Sequence, residues 1–187
     1  MIEPVFDKDG FKVLTVFSIS PGSRYKRNEL KEMTRLNNVP LDNVIVRLVN
    51  CGILRIEKNL YQLSFEKEET KKLIEIVSQQ YKELRELPLS VFFLLADAVD
   101  VLSAVKGIEV YLFGSYAKLV YREKSDVDLA VILKAGQKTP DYVKLSMKLE
   151  KVYGKKVQIH DFESEGFYKN KKDPLVSEIL RNGVRLL

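Results

Sequence analysis

The chain has 187 residues, of which 45% are hydrophobic and 30% charged, a composition that excludes a disordered protein and fits one ordinary domain or two small ones. Its net charge of +5 permits an anionic partner such as a nucleotide or a nucleic acid but does not require one. The single cysteine excludes an internal disulfide, and the acidic start lacks the features of a signal peptide, so we expect a cytoplasmic protein with no membrane association.

Three helices are predicted from apolar residues that recur at helical spacing, at about residues 7–17, 27–34 and 40–50. The segment 20–23, Ser-Pro-Gly-Ser, breaks the chain after the first helix, and Pro40 suits the first position of the third. One stripe of the third helix is expected to be buried: Leu41, Val44, Ile45, Leu48 and Val49. Cys51, just after this helix, is interpreted as a small buried apolar residue.

Two strands are predicted next, at 53–57 and 60–64, with a turn at Lys58 and Asn59 between them. Three helices followed by a hairpin is the element order of a winged helix-turn-helix domain, and residues 1–65 resemble that family. The resemblance implies that the third helix enters the DNA major groove and that the hairpin touches the backbone.

The residues predicted to contact nucleic acid lie around the second helix and on the third: Arg24, Lys26, Arg27, Lys31, Asn43 and Arg47. Asp42, on the same face of the third helix, would repel a DNA backbone. Winged-helix domains also dock proteins or form dimers, so both uses of this part of the chain stay open.

A connecting helix is predicted over residues 66–88, where apolar residues recur at helical spacing in a segment rich in Glu and Lys that Pro88 ends. Its apolar stripe can pack within the chain or pair with a second copy in a homodimer. From residue 89 onward helices and strands alternate. Strands are predicted at 108–113, 126–133 and 156–162, helices at 89–105, 114–122, 141–153 and 173–182, and a short terminal strand at 184–187. Continuous apolar runs in the strands predict a sheet that is covered on both faces.

The segment from Gly114 to Asp128 carries residue types that suit a bound nucleotide. Asp126 and Asp128 project from the same face of a predicted strand, and two close carboxylates repel each other unless a cation lies between them. Oxygen ligands of this kind suit Mg²⁺ or Mn²⁺, which also draw ligands from substrate phosphates. Gly114 permits close approach of a ligand, and Ser115 follows at a turn into a helix, where free N–H groups bind phosphate oxygens.

The pattern Gly114-Ser115-x-Ala117 followed by Ser125-Asp126-x-Asp128-Leu129 resembles the DNA polymerase beta-like nucleotidyltransferase superfamily, in its minimal nucleotidyltransferase branch. The resemblance covers residues 89–187 and implies that Asp126 and Asp128 hold catalytic Mg²⁺ or Mn²⁺. It implies that Gly114 and Ser115 cradle a nucleotide triphosphate, with ATP the expected nucleotide. Lys118 either adds positive charge at the phosphates or is a solvated surface lysine.

The predicted fold class is therefore α+β, with three parts in chain order. These are a winged helix-turn-helix domain (1–65), a connecting helix (66–88) and a nucleotidyltransferase domain with a small mixed sheet (89–187).

The chain departs from the family pattern at two positions. Leu119 lies where the family often has a glycine, and we expect this difference either to alter the helix after the turn or to narrow the nucleotide entrance. Gln158 lies where the family usually has a third carboxylate, and an amide binds Mg²⁺ poorly and cannot act as a base. Asp161 is the predicted catalytic substitute, although it lies on the opposite strand face unless the strand bends or ends before it. His160 shares the face of Gln158 and is a base, a metal ligand or a hydrogen-bonding residue at the strand end.

Three functions are compatible with these patterns. The first is metal-dependent transfer of a nucleoside monophosphate to an acceptor, and the resemblance implies an antitoxin-like protein that modifies a HEPN-class partner. The second is a DNA-binding transcriptional regulator whose catalytic-like domain senses nucleotide or is inactive, which the basic second helix and Gln158 favour. The third is an interaction module that uses the helix 66–88.

Overall fold

The computed structural model describes residues 7–82 and 84–187. Contacts within the chain define two compact units, 1–93 and 94–187. The first unit contains α1 (Lys8–Ile19), α2 (Arg27–Thr34), α3 (Asn38–Asn50), β1 (Leu54–Glu57), β2 (Leu60–Leu63) and α4 (Glu68–Lys82), and α5 (Leu89–Leu102) spans the division. The second contains β3 (Glu109–Phe113), α6 (Gly114–Ala117), β4 (Val127–Leu133), α7 (Tyr142–Tyr153), β5 (Val157–Glu163), α8 (Ser164–Lys169), α9 (Pro174–Asn182) and β6 (Val184–Arg185). No helix in these two described ranges has the length and apolarity that a membrane crossing needs.

The core of the first unit forms around α1, whose Leu14 and Phe17 are fully buried. α4 packs against α1 through the buried side chains Leu73, Ile74 and Val77, so its apolar stripe is used within the chain. The predicted buried stripe of α3 is confirmed at Leu41, Val44, Ile45 and Leu48. The interpretation of Cys51 as buried is wrong: it caps the end of α3 and is exposed, because the last turn of the helix lies at the surface.

The hairpin of the first unit is a two-stranded antiparallel sheet in which Leu54 pairs with Leu63. Lys58 and Asn59 form its turn with φ of 50° and 63°, and a two-residue turn with two positive φ angles matches the twist of antiparallel strands. Tyr25, between α1 and α2, pairs with Tyr61 of β2 through backbone N–O distances of 3.0 and 2.8 Å. A third chain segment therefore joins the hairpin edge.

The second unit is built on a four-stranded sheet in the order β5-β4-β3-β6. β3 pairs antiparallel with β4 and with β6, whereas β4 and β5 are parallel and are connected through α7. The sheet is therefore mixed, in agreement with the predicted α+β class.

β4 lies in the centre of this sheet and is buried along its length except at Asp128. On one face, Ala130 and Ile132 pack with Phe167 of α8 and Ile179 of α9. The neighbouring positions Val127, Leu129 and Val131 point to the other face and are also fully buried, as predicted for a strand covered on both sides. Helix α8 was not predicted, because its six residues follow β5 without a break and are too few for helical periodicity to show.

Candidate active site

The turn from β3 into α6 places Gly114 against the side chain of Asp128. Phe113, the last residue of β3, pairs with Asp128 of β4, so the next residue lies beside the Asp128 carboxylate. Gly114 has φ of +73°, and a Cβ built on it would lie 2.2 Å from Asp128 Oδ2. Both the backbone conformation and the available space therefore require glycine at this position. Ser115 follows at the first turn of α6, and its carbonyl accepts a hydrogen bond of 3.0 Å from the Val120 N–H.

Asp126 lies one residue before β4, so the predicted strand starts one position later than expected. Its Oδ2 accepts a hydrogen bond of 2.5 Å from Gln158 Nε2 and lies 3.3 Å from Lys156 Nζ. The hydrogen bond from Gln158, followed by the contact with Lys156, lowers the pKa of Asp126. The carboxylate is therefore ionised at neutral pH and already holds two donors at one oxygen.

Asp128 has the opposite electrostatic environment, because burial raises its pKa. The charge of His160 opposes this effect, while the negative charges of Asp126 and Glu178 add to it. Repulsion between the two aspartates is the situation that a bound cation relieves. The chemistry of these two oxygen donors fits Mg²⁺ or Mn²⁺. Among the described residues no group of three or more His, Cys, Asp and Glu side chains could hold a metal.

Of the β5 residues considered for the site, Gln158 and His160 lie on the face of Asp128 and Asp161 does not. The parallel register places Gln158 beside Asp128 and His160 beside Ala130, on the face that carries Asp128. The His160 ring lies edge-on to Phe113, with centroids 5.4 Å apart. Asp161 lies beside Val131 on the opposite face and is exposed. This placement corrects the expectation that Asp161 substitutes for the missing acid, because β5 continues to Glu163 without a bend that would turn Asp161 over.

Two charged residues of the site were missed in the sequence. Lys156 precedes β5 as Asp126 precedes β4, and the spacing Lys156-x-Gln158 beside Asp126-x-Asp128 was the available signal. Glu178 lies in α9 with no local motif, and only the packing of α9 on β3 brings it near. Lys118 Nζ lies 2.8 Å from Glu178 Oε1, so this exposed lysine is ion-paired at the surface.

Leu119, where the family often has glycine, has φ of +57°. Leu119 is 52% exposed, so only partial burial offsets the unfavourable left-handed conformation. The chain therefore keeps the backbone turn that a glycine would favour, with a residue that is strained in it.

In the first unit, two residues predicted to contact nucleic acid are paired with acidic side chains. Arg27 pairs with Asp42, at 2.6 Å from Nε to Oδ1 and 2.9 Å from Nη2 to Oδ2. Arg47 was expected to be exposed, yet its side chain is only 16% exposed and its Nη2 lies 2.5 Å from Asp7 Oδ2. This corrects its assignment as an exposed base reader, because the guanidinium faces the start of α1.

The other predicted contacts stay at the surface. Arg24 lies 3.9 Å from Glu57, which is at the limit of an ion pair. Lys26 and Asn43 are exposed, and Lys31 lines an open cavity of about 440 Å³ with Asn28, Glu32, Arg35, Leu36 and Asn37.

Comparison with known proteins finds similarity to the second unit. Residues 98–187 match the family model described as "Polymerase beta, Nucleotidyltransferase". A putative protein adenylyltransferase of Methanocaldococcus jannaschii is 40% identical over 53 residues, which are 28% of this chain and 57% of that protein. A solved structure described as "Crystal structure of the toxin-antitoxin with AMP-PNP" has a TM-score of 0.38 at 22% identity, over 50% of this chain and 72% of its own.

Proposed function

Because residues 98–187 match a nucleotidyltransferase family model, we propose that this part of the chain transfers a nucleoside monophosphate from a nucleotide triphosphate to a hydroxyl group of an acceptor. The observation that carries the proposal is the close approach of Gly114 to Asp128, with Asp126 two residues away. This arrangement joins a turn that can bind phosphate to a pair of carboxylates that can bind a cation.

Each residue of the site has a role in this proposal. Gly114 and Ser115 bind phosphate oxygens of the nucleotide, and ATP is the expected nucleotide. Asp126 and Asp128 hold Mg²⁺ or Mn²⁺, which when bound would supply Lewis-acid stabilisation of the charge on the phosphates. Lys118 lies beside the same turn and adds positive charge once it leaves Glu178.

The chemical step is the attack of an acceptor hydroxyl on the α-phosphorus. A bond forms between the hydroxyl oxygen and the α-phosphorus, while the bond from the α-phosphorus to the bridging oxygen breaks. Pyrophosphate leaves with the electron pair, and the hydroxyl proton passes to a base. His160 is our candidate for that base, because it lies on the sheet face that carries Asp128.

We propose that the acceptor is a protein. The support is the similarity to the M. jannaschii relative, a putative protein adenylyltransferase, over the 53 matched residues. This chain spans 57% of the length of that relative, so protein modification by this chain is part of the proposal. A HEPN-class protein, the partner type that the family resemblance implies, is the first acceptor to test.

The test is label transfer from ATP that carries ³²P at the α-phosphate, with Mg²⁺ or Mn²⁺ and the candidate acceptor. Asp126→Asn and Asp128→Asn should each abolish transfer and metal-dependent nucleotide binding. Asp161→Asn is the matched control, since it removes an aspartate from the opposite face of the same sheet and should leave transfer unchanged. Failure of the parent protein to transfer label and to bind nucleotide with metal would refute the proposal.

A second function is proposed for the first unit, as a winged helix-turn-helix domain that binds DNA or docks a protein. The supporting observation is the Tyr25–Tyr61 pairing, which adds a third chain segment to the hairpin that follows α3. A salt-dependent gel shift tests the DNA alternative. Replacement of Lys26 and Lys31 by Met should weaken DNA binding more than replacement of Arg27, which is bound to Asp42. Equal effects would count against this arrangement of contacts.

A further inference from the structure

The inference concerns the cation count of the proposed nucleotide site, and it rests on the proposed function. We propose that Lys156 and Gln158 take the place of a second divalent cation at Asp126, so that the site takes one Mg²⁺ or Mn²⁺ with its nucleotide. The ammonium of Lys156 is 3.3 Å from Asp126 Oδ2, and the amide of Gln158 is 2.5 Å from the same oxygen.

These two contacts follow from the pairing of the strands. β4 and β5 are parallel, with Val127 beside Val157 and Asp128 beside Gln158. The Val127 N–H donates a hydrogen bond of 2.9 Å to the Lys156 carbonyl, which holds the starts of the two strands side by side. The ladder therefore fixes the backbone of Lys156 next to Asp126.

Gln158 determines whether Asp126 Oδ2 is available to a metal ion. A carboxylate at that position would repel Asp126 and would share a cation with it. The amide instead donates a hydrogen bond to Asp126, which satisfies an oxygen that a metal would otherwise ligate. Lys156 is 62% exposed, so its ion pair alone would be weak, and the two donors act together.

The charge balance of the site favours one dication. Two-metal sites hold their ions about 3.5–4 Å apart as a clamp on the entering and leaving oxygens. A second dication at Asp126 would meet the Lys156 ammonium as well as the first dication, and repulsion among these positive charges would oppose its binding. Among the described residues no third acid completes a metal-binding group there. One dication held by Asp128 and the other oxygen of Asp126 leaves Lys156 as the second positive charge at Asp126.

The experiment counts metal ions in the complex with nucleotide. The full chain is titrated with Mn²⁺ and an ATP analogue whose α,β-bridge cannot be cleaved, and free Mn²⁺ is followed by electron paramagnetic resonance. The parent protein should bind one Mn²⁺ for each bound analogue. The variant Gln158→Asp/Lys156→Met, which restores an acid and removes the ammonium, should bind two.

The control variant tests whether the loss of any nearby lysine changes the number of bound Mn²⁺ ions. Lys124→Met removes an exposed lysine from the loop before Asp126 and should keep one Mn²⁺. Two Mn²⁺ for each analogue in the parent would overturn the inference by itself, whether or not the double variant folds. A folded double variant that binds the analogue with one Mn²⁺ would also overturn it. A parent that binds neither analogue nor metal would instead refute the proposed function on which the inference rests.

Discussion

Gly114 and Asp128 are packed so closely that no side chain larger than hydrogen fits between them. A Cβ on Gly114 would lie 2.2 Å from Asp128 Oδ2 and 3.1 Å from its Cγ. The glycine also has φ of +73°, which side chains disfavour. The residue that opens the proposed phosphate turn is therefore also the one that permits Asp128 its position.

Gly114→Ala should lower both the stability and the nucleotide affinity of the protein. The positive φ alone costs about 1–2 kcal/mol for a residue with a Cβ, and displacement of the Asp128 carboxylate adds to that. Urea unfolding measures the first effect, and calorimetric titration with Mg²⁺ and an ATP analogue measures the second. Gly166→Ala is the control, since its Cβ would meet nothing within 4 Å and alanine favours a helix. Equal behaviour of the two variants would contradict the steric explanation.

Leu119→Gly should stabilise the protein. Leu119 has φ of +57° and is 52% exposed, so glycine removes strain and loses little burial. After the greater flexibility of glycine in the unfolded chain is subtracted, the expected gain in unfolding free energy is about 0.5–1 kcal/mol. Val120→Gly, one residue along, lacks a positive φ to relieve and should be destabilising. Thermal and urea unfolding of both variants checks the difference, and a loss of stability in Leu119→Gly would refute it.

Glu178→Gln should strengthen binding of the Mg²⁺–nucleotide complex. Lys118 is 2.8 Å from Glu178, and a triphosphate must displace that carboxylate to gain the ammonium. We expect a several-fold lower Kd in this variant, a higher Kd in Lys118→Met, and no effect of Glu178→Gln when Lys118 is already Met.

The control for this cycle is Glu165→Gln, which breaks an equally short pair with Lys169 on α8. It should leave nucleotide binding unchanged, because Glu165 and Lys169 pair with each other at the surface and are far more exposed than Glu178 and Lys118. Weaker binding in Glu178→Gln would mean that Glu178 acts through its attraction for the metal and not through Lys118.

The Arg27–Asp42 pair should stabilise the first unit at neutral pH and cease to do so in acid. The hydrogen bond from Arg27 holds the pKa of Asp42 below its ordinary 3.8. A carboxyl with a lowered pKa contributes stability that is fully present above its unfolded value and is lost as pH falls through its folded value. A double-mutant cycle with Arg27→Met and Asp42→Asn should therefore show coupling at pH 7 that shrinks below pH 3.8.

The comparison pair for that cycle is Arg55–Glu66, at 3.7 Å with both side chains more than half exposed. We expect little coupling there at either pH, because a long exposed pair is screened by water. Coupling between Arg27 and Asp42 that persists in acid would show that the interaction does not depend on the ionised carboxyl.

Local patterns were enough to predict most of the elements and the centre of the site. Apolar periodicity placed α2, α3, α9 and the strands within a residue or two, and the turn at Lys58 and Asn59 followed from its position between two short strands. The pair Asp126 and Asp128 follows from a spacing of two, because side chains on a strand return to the same face every second residue. These features depend on neighbours in the chain, so sequence alone carries them.

Tertiary structure decided which side chains surround that centre. The alternation of side chains along a strand does not predict whether β5 bends. The register of β5 against β4 places Asp161 on the face opposite to Asp128. Glu178 reaches Lys118 across 60 residues of chain, and Arg47 turns from a proposed DNA contact to Asp7. Such contacts depend on how helices pack and on which acid lies within reach of a long basic side chain. The sequence by itself determined the residues proposed to hold a metal-bound triphosphate, and the packing of β5 and α9 determined the charges that they face.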